Sequence, residues 1–193
     1  MRLAERVARS LAETPKLPPL AGDLPDERAL ATTPAAVLIA ITDRDEPGVV
    51  LTVRREHLRT HAGQIAFPGG RIDDGEDAIA AALREAREEL GVPPSAVEVI
   101  AAIDEYRTVT GYRVTPVVGI ISPGLDLQPH EHEVADWFEA PLYFLIDPAN
   151  QRLQTAVFGG RERRYWQIEW NGRRIWGATA AMLVNLSRRL QWT

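Results

Sequence analysis

The chain has 193 residues, 45% of them hydrophobic and 25% charged, which is enough apolar material for one substantial core and gives no reason to expect two. Acidic residues outnumber basic ones, for a formal net charge of -5; this argues against coating nucleic acid, and a polyanionic ligand would need a local cluster of cations. Cysteine is absent, so disulfides, thiolate nucleophiles and cysteine zinc sites are excluded, and any metal must sit on oxygen or imidazole. No window approaches the roughly 20 apolar residues of a membrane span. The N-terminus, MRLAERVARSLAETP, breaks its apolar residues with Arg2, Glu5, Arg6, Arg9 and Glu13, unlike a signal peptide. The expectation is a single cytoplasmic domain over residues 1–193, binding neither membrane nor nucleic acid.

Leu3, Val7 and Leu11 stand at helical spacing, and Pro15, Pro18 and Pro19 end the pattern, predicting a short helix and an extended arm over residues 1–30. Two apolar runs, Ala35 to Ile41 and Val49 to Val53, flank the polar turn Asp43 to Gly48 and read as a β-hairpin. Asp77 to Leu90 is the clearest helix: Ile79, Leu83, Ala86 and Leu90 form an apolar stripe, Gly91 supplies a left-handed end residue, and Pro93 blocks continuation. Strands are predicted over Val97 to Ile103 and Tyr112 to Ile121, and a helical turn over Pro141 to Ile146. Tyr165 to Trp170 and Arg173 to Trp176 flank the hairpin signal Asn171-Gly172. A last helix spans Ala178 to Leu190 with Met182, Leu183, Leu186 and Leu190 inward. Helices distributed among strands give a mixed α/β sandwich.

In the helix from Asp77, Glu85, Glu88 and Glu89 lie three and four positions apart, placing three carboxylates on one face, roughly opposite the apolar stripe. Each like-charged pair costs an isolated helix on the order of 0.2–0.5 kcal/mol, which a bound divalent cation would reverse. Read alone, the face is a solvated one balanced by Arg84 and Arg87. Its surroundings say more. From Gly70 to Val92 the chain reads GRIDDGEDAIAAALREAREELGV, and Gly70, Glu76, Arg84, Glu85, Glu88, Glu89, Gly91 and Val92 resemble the Nudix box of the Nudix hydrolases. Ala86 stands where many members carry a larger aliphatic residue. The resemblance implies a Nudix-type α/β/α sandwich with a mixed sheet, Mg²⁺ or Mn²⁺ as cofactor, and cleavage of a diphosphate linkage. It implies metal-ligand roles for Glu85, Glu88 and Glu89, an orienting bidentate pair from Arg84, and a supporting role for Glu76, whose other reading is a first-turn acid favoured by the helix dipole. Hard cations suit the carboxylate donors.

Upstream, LTVRREHLRTHAGQIAFPGG resembles the additional motif of the coenzyme A pyrophosphatase branch, departing from it at Arg55 and Glu56, where small residues are usual. Thr110-Gly111 with Thr115-Pro116, Glu133-Val134 with Pro141-Leu142, and Ile175-Trp176-Gly177 with Thr179-Ala180 extend the likeness. It implies hydrolysis of coenzyme A or its thioesters to adenosine 3′,5′-bisphosphate and (acyl-)phosphopantetheine. Arg54, Arg59 and His61 are then the donors to the substrate, Gly69 and Gly70 the positions where backbone approaches a phosphate, and Glu133 (over Glu131) the further glutamate expected as base or ligand. Taken singly, Arg54 and Arg59 read as surface arginines, His61 as a structural hydrogen-bonding residue, and Glu133 as a loop acid in water. His130 and His132 read as a surface loop, and Trp137, Trp166, Trp170 and Trp176 as core or subunit contacts with one free to stack on adenine. A homodimer is the expected assembly, if any. Two other functions stay open: a Nudix pyrophosphatase acting on another nucleotide such as NADH or ADP-ribose, and a non-catalytic nucleotide-binding module.

Overall fold

A computed structural model describes residues 1–14, 20, 33–55, 63–158 and 161–192. The expected hairpin forms from β1 (Thr33–Thr42) and β2 (Gly48–Arg54), joined antiparallel at Ile41 and Val49. The short strands β3 (Ile65–Ala66) and β4 (Gly69–Arg71) follow, then helix α2 (Ala78–Leu90), preceded at the N-terminus by α1 (Leu3–Glu13). Beyond α2 come β5 (Val97–Ala102), β6 (Tyr106–Arg107), β7 (Tyr112–Ile121), β8 (Val134–Pro141) and the turn-length helix α3 (Leu142–Ile146). The chain closes with β9 (Arg152–Phe158), β10 (Arg161–Trp170), β11 (Arg173–Trp176) and α4 (Ala178–Leu190).

The larger sheet runs β3-β2-β1-β7-β5, with β4 on β1, β6 on β7 and β8 on β2. It is mixed, because β1 runs antiparallel to β2 but parallel to β7 from Thr33 opposite Tyr112 to Thr42 opposite Ile121. Both long strands are buried on both faces, which is why their sequences read as near-continuous apolar runs rather than alternating ones. Ala36, Leu38 and Ala40 face α2 through Ala82, Ala86 and Leu90. Ile39, Ile41 and Leu51 face the other way, onto α1, α3, α4 and the smaller sheet. The result is an α/β/α sandwich. Strands β9, β10 and β11 form a separate antiparallel sheet, with Trp170 opposite Arg173 across the Asn171-Gly172 turn, where both residues take positive φ. Among the described residues no helix is long and apolar enough to cross a membrane.

The predicted helices and hairpins stand nearly at their expected bounds, and Met182, Leu183, Leu186 and Leu190 of α4 are buried. The inward face of α2 differs. Ile79 is 37% exposed, and the buried positions are Ala81, Ala82, Ala86, Glu89 and Leu90. Alanines allow the helix to approach the sheet closely, so the buried stripe runs through small residues, with Leu83 partly buried at its edge and Ile79 outside it. Glu89 therefore lies on the buried side, not opposite it. The prolines at 15, 18 and 19 and most of the arm fall outside the described residues, as do Arg59 and His61.

Candidate active site

Helix α2 begins with Asp77, whose carboxylate accepts the Ala80 N–H at 2.8 Å, and ends at Gly91, left-handed at φ 71°. Strand β4 leads into it through the loop 72–77, and Arg84 binds that loop to the helix. Its Nε and Nη2 each donate to one oxygen of Glu76 at 3.0 Å, Nη2 also donates to the Arg71 carbonyl at 2.9 Å, and Nη1 donates to Glu85 at 2.9 Å and Glu88 at 3.2 Å. Planar guanidinium geometry lets one side chain serve the loop and two helix carboxylates at once. The arginine hydrogen bonds hold the Glu76 carboxyl below its ordinary range, helped by the Asp73 N–H at 3.1 Å. The bidentate pair expected of Arg84 is thus made with Glu76, which ties the loop to the helix.

Glu89 is 3% exposed. Its Oε2 accepts the Gly69 N–H at 3.2 Å and its Oε1 lies 3.7 Å from Arg54 Nη1. Burial pushes its carboxyl up to about 8; Arg54 and the Gly69 N–H oppose that rise, and the negative charges of Glu85 and Glu133 add to it. Glu85 is raised by burial as well, against the pull of Arg84 and with repulsion from Glu88 and Glu133. A Cβ on Gly70 would stand 2.4 Å from Glu85 Oε1, and one on Gly69 would stand 2.4 Å from the Ala36 carbonyl. Close approach to the backbone of strand β1 requires glycine at 69, while a side chain at 70 would displace the Glu85 carboxylate lying over it.

Glu133 reaches the same place from the loop before β8. That loop is docked on the end of α2, where the His130 N–H donates to the Glu89 carbonyl at 2.8 Å and the Gln128 N–H to the Leu90 carbonyl at 2.9 Å. Glu133 donates its own N–H to the His130 carbonyl at 3.0 Å and accepts the Arg55 N–H at 3.2 Å. Arg54, Gly69, Gly70, Glu85, Glu89 and Glu133 all line one cleft of about 960 Å³. Glu88 does not; its side chain is 58% exposed and is held on the rim by Arg84. Glu131, His130 and His132 lie outside the cleft lining too.

Among the described residues no three acidic or imidazole side chains converge at metal-binding range; Arg84 holds Glu85 and Glu88, and the Gly69 N–H holds Glu89. The donor chemistry nevertheless suits a hard divalent cation. Glu89 is buried and Glu85 partly so, and both repel each other and Glu133, so a cation there would relieve burial and repulsion together.

The rest of the lining comes from residues of which the sequence reading had named only Thr110, Trp176 and Thr179, as part of the family likeness, and Trp176 also among the tryptophans free to stack on adenine. Arg163 and Tyr165 of β10, Trp176 of β11, Thr179 and Met182 of α4, and Thr108 to Thr110 complete the cleft. Thr179 donates its hydroxyl to the Ile65 carbonyl at 3.0 Å, fastening α4 to β3. The signal was the two-residue period: Arg163 and Tyr165 share a face of β10 with Gln167, which stands opposite Trp176 across the hairpin. Of the other tryptophans, Trp166 and Trp170 pack on the larger core and Trp137 on the core beneath α2, with Trp170 stacked on Phe138 at 5.7 Å.

Residues 32–158 match the family model of the NUDIX domain. Over 157 residues the chain is 47% identical to a protein of Escherichia coli strain K12 named as an uncharacterized Nudix hydrolase, NudL, a match that covers 81% of this chain and 82% of that protein. Two solved structures share the fold. The Ap4A hydrolase of C. elegans in a binary complex has a TM-score of 0.50 at 22% identity, covering 56% of this chain and 80% of its own. RenU, a Nudix hydrolase from M. smegmatis, has a TM-score of 0.50 at 24% identity, covering 57% of this chain and 71% of its own.

Proposed function

The chain belongs to the Nudix hydrolase family, and we propose that it hydrolyses the diphosphate bond of coenzyme A or its thioesters to adenosine 3′,5′-bisphosphate and phosphopantetheine or its acyl form. The observation that carries the chemistry is the group of mutually repelling carboxylates, Glu85, Glu89 and Glu133, on one wall of a cleft beside Arg54 and the glycine pair. Nudix hydrolases generally use divalent metal ions such as Mg²⁺ or Mn²⁺. Here Glu85, Glu88 and Glu89 are the proposed ligands, and such an ion supplies neutralisation of the diphosphate oxygens and a lowered pKa for a bound water.

The remaining roles belong to the chain's own groups. Arg84 orients Glu85 and keeps the glycine loop against α2. Arg54, joined by Arg59 and His61 of the same segment, donates to phosphoryl oxygens. Gly69 and Gly70 let the substrate lie close to backbone, and Glu133 accepts the proton of the attacking water. Coenzyme A is favoured among diphosphates by the likeness of the segment from Leu51 to Gly70 to the coenzyme A branch.

Ranking kcat/KM for coenzyme A, ADP-ribose and NADH with Mg²⁺ or Mn²⁺ tests this reading. Coenzyme A should lead, and Glu89→Gln should remove at least 99% of the turnover, on the order of what loss of a metal ligand costs. A higher value for ADP-ribose or NADH would move the substrate to those nucleotides. Tight coenzyme A binding without turnover in either metal would make the protein a binding module.

A further inference from the structure

The cleft is lined by two chemically different sets of side chains. Its acids are Glu85, Glu89 and Glu133, all grouped beside the glycine pair. The wall given by β10 and β11 has none; it offers Arg163, Tyr165 and Trp176, and all three lie beyond the matched Nudix domain, which ends at residue 158. Tyr165 and Trp176 meet edge to face with ring centroids 5.8 Å apart. Arg174, which does not line the cleft, fixes them: its Nη2 donates to the Tyr165 hydroxyl at 3.0 Å, its Nε donates to Gln167 at 2.7 Å, and its guanidinium carbon lies 5.1 Å from the Trp176 ring centre. The ring pair is thus set in place before any ligand arrives. Arg163 sits on the same face of β10, two residues from Tyr165, yet among the described residues it has no hydrogen-bond or ion-pair partner. Arg174 positions the aromatic rings, and Arg163 presents to the cleft a cation with no partner among the described residues.

From this arrangement we infer that the β10–β11 wall binds the nucleoside half of the substrate, with the base against Tyr165 and Trp176 and a phosphoryl group on the ribose, separate from the diphosphate, held by Arg163. The inference rests on the diphosphate reading of the acidic set. Aromatic faces take any base by stacking, so they contribute affinity with little selectivity. A planar guanidinium with no partner among the described residues takes a phosphate dianion in preference to a bare hydroxyl, and no acid of β10 or β11 lines the cleft beside it; Glu169, on the same face of β10, is taken up by Gln167. Arg163 is on this view the residue that distinguishes a phosphorylated ribose from a plain one.

Calorimetric titration of the purified chain with adenosine 3′,5′-bisphosphate and with adenosine 5′-monophosphate reads this directly. The unaltered chain should bind the bisphosphate roughly tenfold more tightly or better, the scale of one charge-assisted hydrogen bond. Arg163→Gln should bring the ratio of the two affinities to about one, while Trp176→Leu, or Tyr165→Leu if the tryptophan variant melts early, should weaken both ligands alike and keep the ratio. Equal affinities in the unaltered chain, or a ratio that survives Arg163→Gln, would overturn the inference. Turnover of coenzyme A is scored separately: its absence alongside a phosphate preference that depends on Arg163 would overturn only the assigned substrate, and its presence with an unchanged ratio in Arg163→Gln would overturn only this subsite.

Discussion

Glu89 is a carboxylate held where water does not reach it, and its proton is the consequence. With the folded-state value near 8 and the ordinary value at 4.5, the metal-free folded chain binds this proton more tightly than the unfolded chain does. Its contribution to stability is therefore fully present below about pH 4.5 and is lost progressively as the pH rises towards 8. Thermal melts in chelator should show a fall in midpoint over that window that Glu89→Gln flattens, since the amide has no proton to lose. Added Mg²⁺ or Mn²⁺ should raise the midpoint of the unaltered chain more at pH 8 than at pH 5, because cation and proton compete for one carboxylate. A midpoint indifferent to metal at pH 8 would remove Glu89 from the proposed ligands. In the sequence Glu89 stood out as one of three acids at i, i+3 and i+4 positions and as part of the Nudix-box likeness, but nothing marked it as buried. Its burial follows from Ala82 and Ala86, which bring that side of the helix against the sheet, and hydrophobic periodicity weighted towards Ile79 and Leu83 pointed to a different face.

At the scale of elements, the site is a joint between β4 and α2, and two substitutions probe it. Gly70→Ala places a methyl where Glu85 Oε1 now lies, at 2.4 Å, so the carboxylate must move; turnover should fall at least tenfold while the far-ultraviolet circular dichroism stays that of the parent. Arg84→Lys keeps the charge but cannot grip both oxygens of Glu76 while also reaching Glu85 and the Arg71 carbonyl. Faster amide exchange at Asp73 and Glu76 should accompany a drop in kcat of roughly 10–100-fold; unchanged exchange would show that the loop does not depend on Arg84. The elements themselves were largely legible. The spacing of Leu3, Val7 and Leu11, the Gly91 end of α2 and the Asn171-Gly172 turn each have a local cause that reads directly from residues. Strands β8 and β9 were missed because their partners are remote or edge-like: β8 pairs with β2 from Gly48 opposite Pro141 to Arg54 opposite Val134, and Trp137-Phe138-Glu139 carries little alternation. The same gap hid the position of Glu133, which depends on the preceding loop being hydrogen-bonded to the end of α2, and it hid the aromatic wall, which requires a second sheet to be folded over the first.

At the scale of the whole molecule, a nearly buried ion pair links α4 to the β5–β6 connection and to the end of α1. Arg189 Nη1 donates to Asp104 at 2.7 Å and its Nη2 to the Leu11 carbonyl at 2.6 Å, with side chains 9% and 11% exposed for Arg189 and Asp104. Asp104→Ala leaves the guanidinium enclosed without its counter-charge and should cost about 3 kcal/mol, roughly a 6–12 °C fall in melting temperature for a chain of this length. Turnover measured well below that temperature should stay near the parent value, because the pair lies away from the cleft lining; loss of activity without loss of stability would instead couple this corner to the site. The centre of the functional proposal is that Glu85, Glu89 and Glu133, grouped in the cleft of a chain with net charge -5, receive an anionic substrate together with a divalent cation. Incubating the purified chain with coenzyme A and Mg²⁺ or Mn²⁺, and weighing the products by mass spectrometry, tests it most directly. Adenosine 3′,5′-bisphosphate and phosphopantetheine should appear and should vanish with chelator; coenzyme A left intact under conditions where ADP-ribose or NADH is cleaved would contradict the proposal.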